Sequence, residues 1–129
     1  MSNKAKGSRA ERELIQVFTE NSWRAVRVAG SGVNDESPCD LIVGKLGRRG
    51  HTIEAKSSKK SSIYIKKQQI EDFVLFSSFI GLSPVIALRF NYEGWLFISP
   101  EQLKDAGKSF AVSLKDAKLN GKRFSQFFE

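Results

Sequence analysis

Two strand-like segments, Asp40-Leu41-Ile42-Val43-Gly44 and His51-Thr52-Ile53-Glu54-Ala55-Lys56-Ser57, flank a turn from Lys45 to Gly50 that contains Gly47 and Gly50. Short apolar runs around such a turn read as an antiparallel hairpin. A turn centred on Gly47 sets its register and places Asp40 opposite Glu54. Cross-strand partners share a face, with Cβ atoms ~5 Å apart. Alternate residues of a strand also share a face, so Lys56 projects with Glu54 while Ala55 points the other way. The hairpin therefore gathers two carboxylates and an ammonium in one patch. Carboxylates this close repel unless a cation sits between them.

The charge distribution singles out the same region. Lys plus Arg number 21 and Asp plus Glu 14 over 129 residues, a net +7. Residues 1–44 carry six of each sign and residues 68–129 seven of each, so the excess lies in residues 45–67. That stretch holds Lys45, Arg48, Arg49, Lys56, Lys59, Lys60, Lys66 and Lys67 against the single acid Glu54. A local cationic surface suits an anionic partner, with nucleic acid ahead of a membrane surface. A lone Cys39 excludes an internal disulfide and a Cys-rich zinc module, and a lone His51 excludes His-based metal pairs. A metal would therefore be held mainly by carboxylates, which favours Mg2+ or Mn2+. No apolar run is long enough to span a membrane, and the first residues lack a secretory apolar segment.

The remaining pattern is that of one α/β domain. Residues 1–7 read as a flexible tail and residues 8–129 as a single domain. Ser8-Arg9-Ala10-Glu11 matches a capping box, opening a helix over about 8–22 with Ala10, Leu14, Val17 and Phe18 on one face. Trp23–Ala29 reads as a strand, and Gly30–Pro38 as a loop. Ile63-Tyr64-Ile65 leads into a helix over about 67–80. That helix carries Ile70, Phe73, Val74, Leu75, Phe76, Phe79 and Ile80, more apolar residues than one buried face needs. Residues 84–90 and 94–98 read as a second hairpin around Asn91-Tyr92-Glu93. Ser99-Pro100-Glu101-Gln102 opens a short helix ending near Gly107, followed by a strand over Phe110–Leu114. The Phe-rich end, from Asn120 to Glu129, gives no clear pattern.

Several candidate residues admit two readings. Glu54 and Lys56 fit a metal site or a solvated sheet face, and an Asp at hairpin distance favours the site. Glu11 fits a helix cap, or an acid at the edge of the buried face. Arg12 fits a phosphate contact or an ordinary surface residue. Ala29-Gly30-Ser31-Gly32 fits a phosphate-binding loop, through backbone N–H groups and the Ser31 hydroxyl, or a plain Gly turn.

Taken in order, these motifs resemble the archaeal Holliday-junction resolvases of the PD-(D/E)xK nuclease superfamily. Gly7–Leu14 resembles the family's opening helix and Arg27–Gly32 its serine loop. Pro38-Cys39-Asp40-Leu41-Ile42 and Ile53-Glu54-Ala55-Lys56 resemble its catalytic hairpin, and the likeness runs to about residue 100. The resemblance implies a restriction-endonuclease-like fold, a central mixed sheet flanked by helices in a single domain. It implies metal ligation by Asp40 and Glu54, with Glu11 as an essential acid counted among the ligands. Lys56 and Ser31 would be catalytic. Arg12 and Arg27 would support or contact DNA, joined by Arg48, Arg49, Lys59, Lys60, Lys66 and Lys67 of the basic stretch. The family reading adds Mg2+ dependence, a four-way DNA junction as substrate and paired symmetric cuts by a homodimer. The over-apolar helix near Phe73, Phe76 and Phe79 would supply the dimer surface. Such a protein works in the cytoplasm beside the nucleoid, or in a host cell if viral. Another DNA-repair or restriction-type nuclease, or a non-catalytic junction-binding module, are the alternatives. The longish acidic loop with Asp35 and Glu36 departs from the family pattern.

Overall fold

The computed structural model describes residues 2–29 and 37–129. Its frame is a five-stranded mixed sheet of β1 (Arg24–Arg27), β2 (Leu41–Gly44), β3 (His51–Ser58), β5 (Ser83–Phe90) and β6 (Gly94–Ile98), in the spatial order β1-β2-β3-β5-β6. β3 runs parallel to β5, and every other neighbouring pair is antiparallel. Parallel strands need a crossover. Here it comprises β4 (Ser62–Lys66) and helix α2 (Lys67–Phe79). β4 belongs to a second, three-stranded sheet with β7 (Lys104–Asp105) and β8 (Ser109–Ser113), in the order β4-β8-β7.

The central strands are buried on both faces. In β5, Val85, Ile86, Ala87 and Leu88 are all buried, the continuous apolar run expected of a covered parallel strand. Val85 and Ala87 join a core with Leu14 and Phe18 of helix α1 (Ser2–Glu20). Ile86, Leu88 and Phe90 join a separate core with Ile70 and Phe73 of α2 and Ile63 and Ile65 of β4. The alternation of β3 follows the same division. Ile53 and Ala55 lie on the α1 side, while Thr52 shares a hydroxyl–hydroxyl hydrogen bond of 2.5 Å with Ser77 of α2.

Three expectations change. Helix α1 begins at Ser2, so Ser8 lies inside it and the 8–11 capping box is not its start. The residues before Ser8 include Ala5 and two Lys, good helix formers, and a single Gly costs only about 1 kcal/mol relative to Ala. The helix expected after Ser99 is one 3-10 turn, Pro100–Gln102, in which Gln102 accepts the Ser99 amide at 2.8 Å. Leu103 then turns extended, and Lys104–Asp105 pairs with β8 through a tight connection where Gly107 sits at φ +88°. Finally, the unassigned end forms two helices, α3 (Leu114–Asn120) and α4 (Phe124–Phe128). Phe124 and Phe128 each stack edge-on against Phe18 at 5.0 Å, closing the α1-side core. Gly121 joins these helices where no side chain fits, because a Cβ would stand 2.4 Å from the Ala117 carbonyl.

His51 is held in this aromatic region, 5.2 Å from the Phe128 ring and 5.9 Å from Trp23, with Nδ1 buried and without a hydrogen-bond partner. Burial, aided by the nearby Arg49 charge, pulls its pKa below the ordinary 6.5. The unfolded chain therefore takes up this proton at a higher pH than the folded one. The stabilisation is complete above pH 6.5 and is lost as pH falls below it. The raised carboxylates described below act in the opposite direction, so the readout is a difference. The stability advantage of the wild type over His51→Leu, measured by urea denaturation, shrinks between pH 7.5 and about pH 5.5.

Candidate active site

The β2–β3 register pairs Leu41 with Ile53 and Val43 with His51. Continued by one residue, it sets Asp40 across from Glu54, as the turn geometry predicts. At that position the backbone ladder gives way to the side chain: Asp40 Oδ2 accepts the Ala55 amide at 2.8 Å. The Asp40 main chain is fixed from both sides, its N–H donating to Ile53 O and its carbonyl accepting from Val28 N, each at 2.9 Å. Asp40 therefore has little freedom to move away from Glu54.

Glu54 is 3% exposed on the α2 side of β3. Its Oε2 accepts from Gln69 Nε2 at 2.6 Å and lies 3.6 Å from Lys56 Nζ. Lys56 Nζ also donates to Gln69 Oε1 at 3.4 Å. Gln69 thus ties acid and ammonium into a closed ring from the first turn of α2. Residue reading did not find Gln69. The signal was present: Gln69, Phe73 and Ser77 recur every four residues on the buried stripe of α2, and a polar residue on such a stripe faces the sheet.

The electrostatics are those of crowded carboxylates. Burial, then the Asp40 charge, pushes Glu54 up to about 8. Burial is also the main cause raising Asp40, against the opposing pull of the Ala55 amide and Lys56. Glu11 is raised by burial and by Asp40, although Arg27 Nε donates to its Oε1 at 2.9 Å. The same surroundings push the buried Cys39 thiol up to about 12, which makes it a packed, unreactive side chain. Three acids therefore feel one another around Asp40.

These groups fit a hard divalent cation. The contacts of Asp40 and Glu54 fall on Oδ2 and Oε2, which leaves Oδ1 and Oε1 without a hydrogen-bond donor among the described residues. The fit is to a pair, however. Among the described residues, no three Asp, Glu, His or Cys side chains are grouped to hold one ion. The expected Glu11–Asp40–Glu54 ligand set is not assembled, because Glu11 is turned to Arg27.

The expected DNA contacts divide into two groups. Arg48 and Arg49 lie in the β2–β3 turn, at the far end of the hairpin from Asp40 and about 15 Å along the strand from Glu54. Arg48 donates to the Phe128 carbonyl at 3.0 Å and pairs with Glu129, while Arg49 donates to the Gly81 carbonyl at 3.5 Å. Lys67 pairs with Asp105 at 2.8 Å. Arg12, Lys59, Lys60 and Lys66 are exposed and make no ion pair with a described residue. Ser31 lies outside the described residues.

A model of the archaeal Holliday junction resolvase (Hjc) family matches residues 2–127. The chain belongs to this family. Among its relatives, the crossover junction endodeoxyribonuclease Hjc of Archaeoglobus fulgidus is 33% identical, over 97% of this chain and 96% of that protein. Hjc of Methanocaldococcus jannaschii is 39% identical over 83% of this chain and 75% of that protein. The solved structure of the A. fulgidus Hjc, described as a Holliday junction resolvase from an archaeal hyperthermophile, superposes with a TM-score of 0.82. It shows 29% identity there, over 92% of this chain and 97% of that one. The match establishes the fold, a mixed sheet between helices, and it extends through the C-terminal third that carries no recognisable motif.

Because Gln69 fixes Glu54 without itself offering an oxygen to the free side of the pair, its loss should act on affinity for the ion. Gln69→Ala is expected to weaken Mg2+ or Mn2+ binding about 10–100-fold. Calorimetric titration of the ion, on a variant that keeps the wild-type circular dichroism spectrum, checks this.

Proposed function

We propose that this chain is a divalent-metal-dependent endonuclease that resolves four-way DNA junctions. The observation that carries the reading is the Asp40–Glu54 pair: burial raises both, the Asp40 charge raises Glu54 further, and Gln69 ties Glu54 to Lys56. A carboxylate pair kept dry and unneutralised works against folding, so its value lies in what it binds. In this reading Asp40 and Glu54 hold Mg2+, with Mn2+ able to replace it, and water completes the shell. The ion supplies charge neutralisation at the phosphodiester and a more acidic bound water.

The protein's residues then have distinct tasks. Asp40 and Glu54 fix position through the paired strands. Lys56 presents its ammonium beside Glu54, where it orients the attacking water and offsets charge growing on the phosphoryl oxygens. The water oxygen bonds to phosphorus and gives up a proton to solvent, one P–O ester bond breaks, and the leaving oxygen takes a proton from solvent, so the cut leaves one phosphate end and one hydroxyl end. Glu11 stands by as an acidic residue exchangeable between Arg27 and the site, and Arg12 and Arg27 border the path of the strand. No helix among the described residues is long and apolar enough to cross a membrane. The enzyme works on DNA in the cytoplasm.

Resolution by paired cuts requires two sites, and the chain has one. Helix α2 supports a homodimer. Its apolar residues exceed what its own core takes up: Phe79 is 81% exposed, Leu75 57% and Ile80 43%. Phe73, by contrast, is fully buried within the monomer and Phe76 packs against the same core, so neither leads the interface as the sequence suggests. The surface is Leu75, Phe79 and Ile80, and a two-fold contact through it places like against like.

Two experiments test these parts separately. A labelled four-way junction and a matched linear duplex are incubated with and without Mg2+. Junction cleavage is expected only with the ion, and it should fall by at least about a hundredfold in Asp40→Asn, Glu54→Gln or Lys56→Ala while junction binding persists. Equal cutting of the linear duplex would remove the structure-specific claim. For the dimer, Phe79→Glu is expected to halve the mass measured by light scattering without lowering helix content.

A further inference from the structure

A second feature opens at the carboxyl-terminal ends of β3 and β5, on the α1 side of the sheet. A cleft of about 230 Å3 there is lined by Arg9 and Glu13 of α1, Ser57 and Lys59 at the end of β3, and Arg89 and Asn91 at the end of β5. Ligands of open α/β sheets characteristically sit outside the carboxyl ends of parallel strands. Three cations face one carboxylate, and that carboxylate is already committed. Glu13 accepts from Arg89 Nε and Nη2, the latter at 3.1 Å, and from Trp95 Nε1 at 2.7 Å. The guanidinium of Arg89 is thereby fixed in place with two of its five N–H donors used and three left to offer. Arg9 and Lys59 are exposed and pair with no acid among the described residues.

We propose that this cleft seats a backbone phosphate of the bound DNA, on the far side of the sheet edge from the scissile phosphate. The inference rests on the nuclease reading above and extends its substrate path. Glu54 and Lys56 face α2, whereas Ser57 faces α1 one residue later, so a strand leaving the active site meets the cleft by crossing the end of β3. From Lys56 to Lys59 is about 10 Å along the chain, a short step for a DNA strand. The size of the cleft agrees. It falls below the roughly 300–1,000 Å3 that encloses a whole small molecule, and suits a phosphodiester better than a free nucleotide. Its donors are charged nitrogens, a hydroxyl and a carboxamide, all able to meet phosphate oxygens.

The test is the salt dependence of binding. A fluorescent four-way junction is titrated by anisotropy over a salt series with Ca2+ in place of Mg2+. Arg9→Ala/Lys59→Ala is expected to make the log–log slope shallower by about one, the loss of one phosphate contact. Ser57→Asp, which adds a carboxylate at an exposed position, is expected to weaken binding at low salt and provides a second route if the double variant folds poorly. Lys108→Ala/Lys115→Ala removes the same charge from the β7–β8 turn and α3, and is expected to keep the wild-type slope. The proposal is overturned if the cleft variants keep the wild-type slope and affinity, or if the control pair loses as much as they do. Wild-type binding and cleavage of the junction report on the nuclease reading independently. Failure there removes both, whereas an active wild type with insensitive cleft variants removes this one alone.

Discussion

The hydrogen bond from the Ala55 amide to Asp40 Oδ2 is the point on which the site depends. In an undisturbed ladder that amide would find a backbone carbonyl. Here it meets a side chain, and this locks a carboxylate against the strand that carries Glu54 and Lys56. The bond falls at the residue that immediately precedes β2 (Leu41–Gly44), where side chain and main chain both reach β3. Asp40 is stable in that position only because its backbone is bonded to Val28 and Ile53 on either side. The sheet thus supplies the rigidity, and the interruption of the sheet supplies the chemistry. A carboxylate presented on a flexible loop could relax away from Glu54, and the repulsion that suits this pair to a cation would disappear.

β3 connects this arrangement to the rest of the molecule. Like β5, it has an antiparallel neighbour on one side and a parallel neighbour on the other. Its alternation delivers Ile53 and Ala55 to the α1 core and Thr52 and Glu54 to α2. Because the crossover to β5 returns through α2, the helix that covers this face necessarily brings its first turn over Glu54. Gln69 and Ser77 take the two polar positions that such a covering would otherwise leave unpaired. A polar ring inside an apolar layer is stable only when its members satisfy one another, and the Glu54–Gln69–Lys56 ring does so on Oε2 while leaving Oε1 open.

Where a local rule and the tertiary structure agreed, the residues could be read directly. The hairpin register followed from Gly47 and strand periodicity, and it held because one face of each strand is buried and a slip would expose Leu41, Val43 and Ile53. The strands of the second hairpin were equally plain. What resisted reading depended on distant partners. Lys104–Asp105 has no strand character of its own and is extended because β8 lies alongside. The final Phe residues show no useful period because their helix is only five residues long, and it is shaped by Phe18 and Phe97 from elsewhere in the chain. Gln69 was missed because the apolar count of α2 drew attention to the helix as a surface, when its polar exceptions mark the site.

The basic stretch shows why charge must be assigned by place before it is assigned a role. Its members at one end, Lys45 and Arg48, close on Glu129 and Phe128 and hold the terminal helix against the sheet. Their loss would be felt as packing, since α4 completes the aromatic core around Phe18 and Trp23. Members at the other end, Lys59 and Lys60, stand past Lys56 and pair with no acid among the described residues. Both groups contribute equally to a net charge of +7, yet only the second is arranged to attract a polyanion at the site. A strand of DNA approaching this molecule therefore meets its unneutralised charge at the carboxyl end of β3. In the proposed function, an ion held by Asp40 and Glu54 would relieve the repulsion between them and would lie beside the incoming phosphate, tying metal binding and DNA binding to the same two carboxylates.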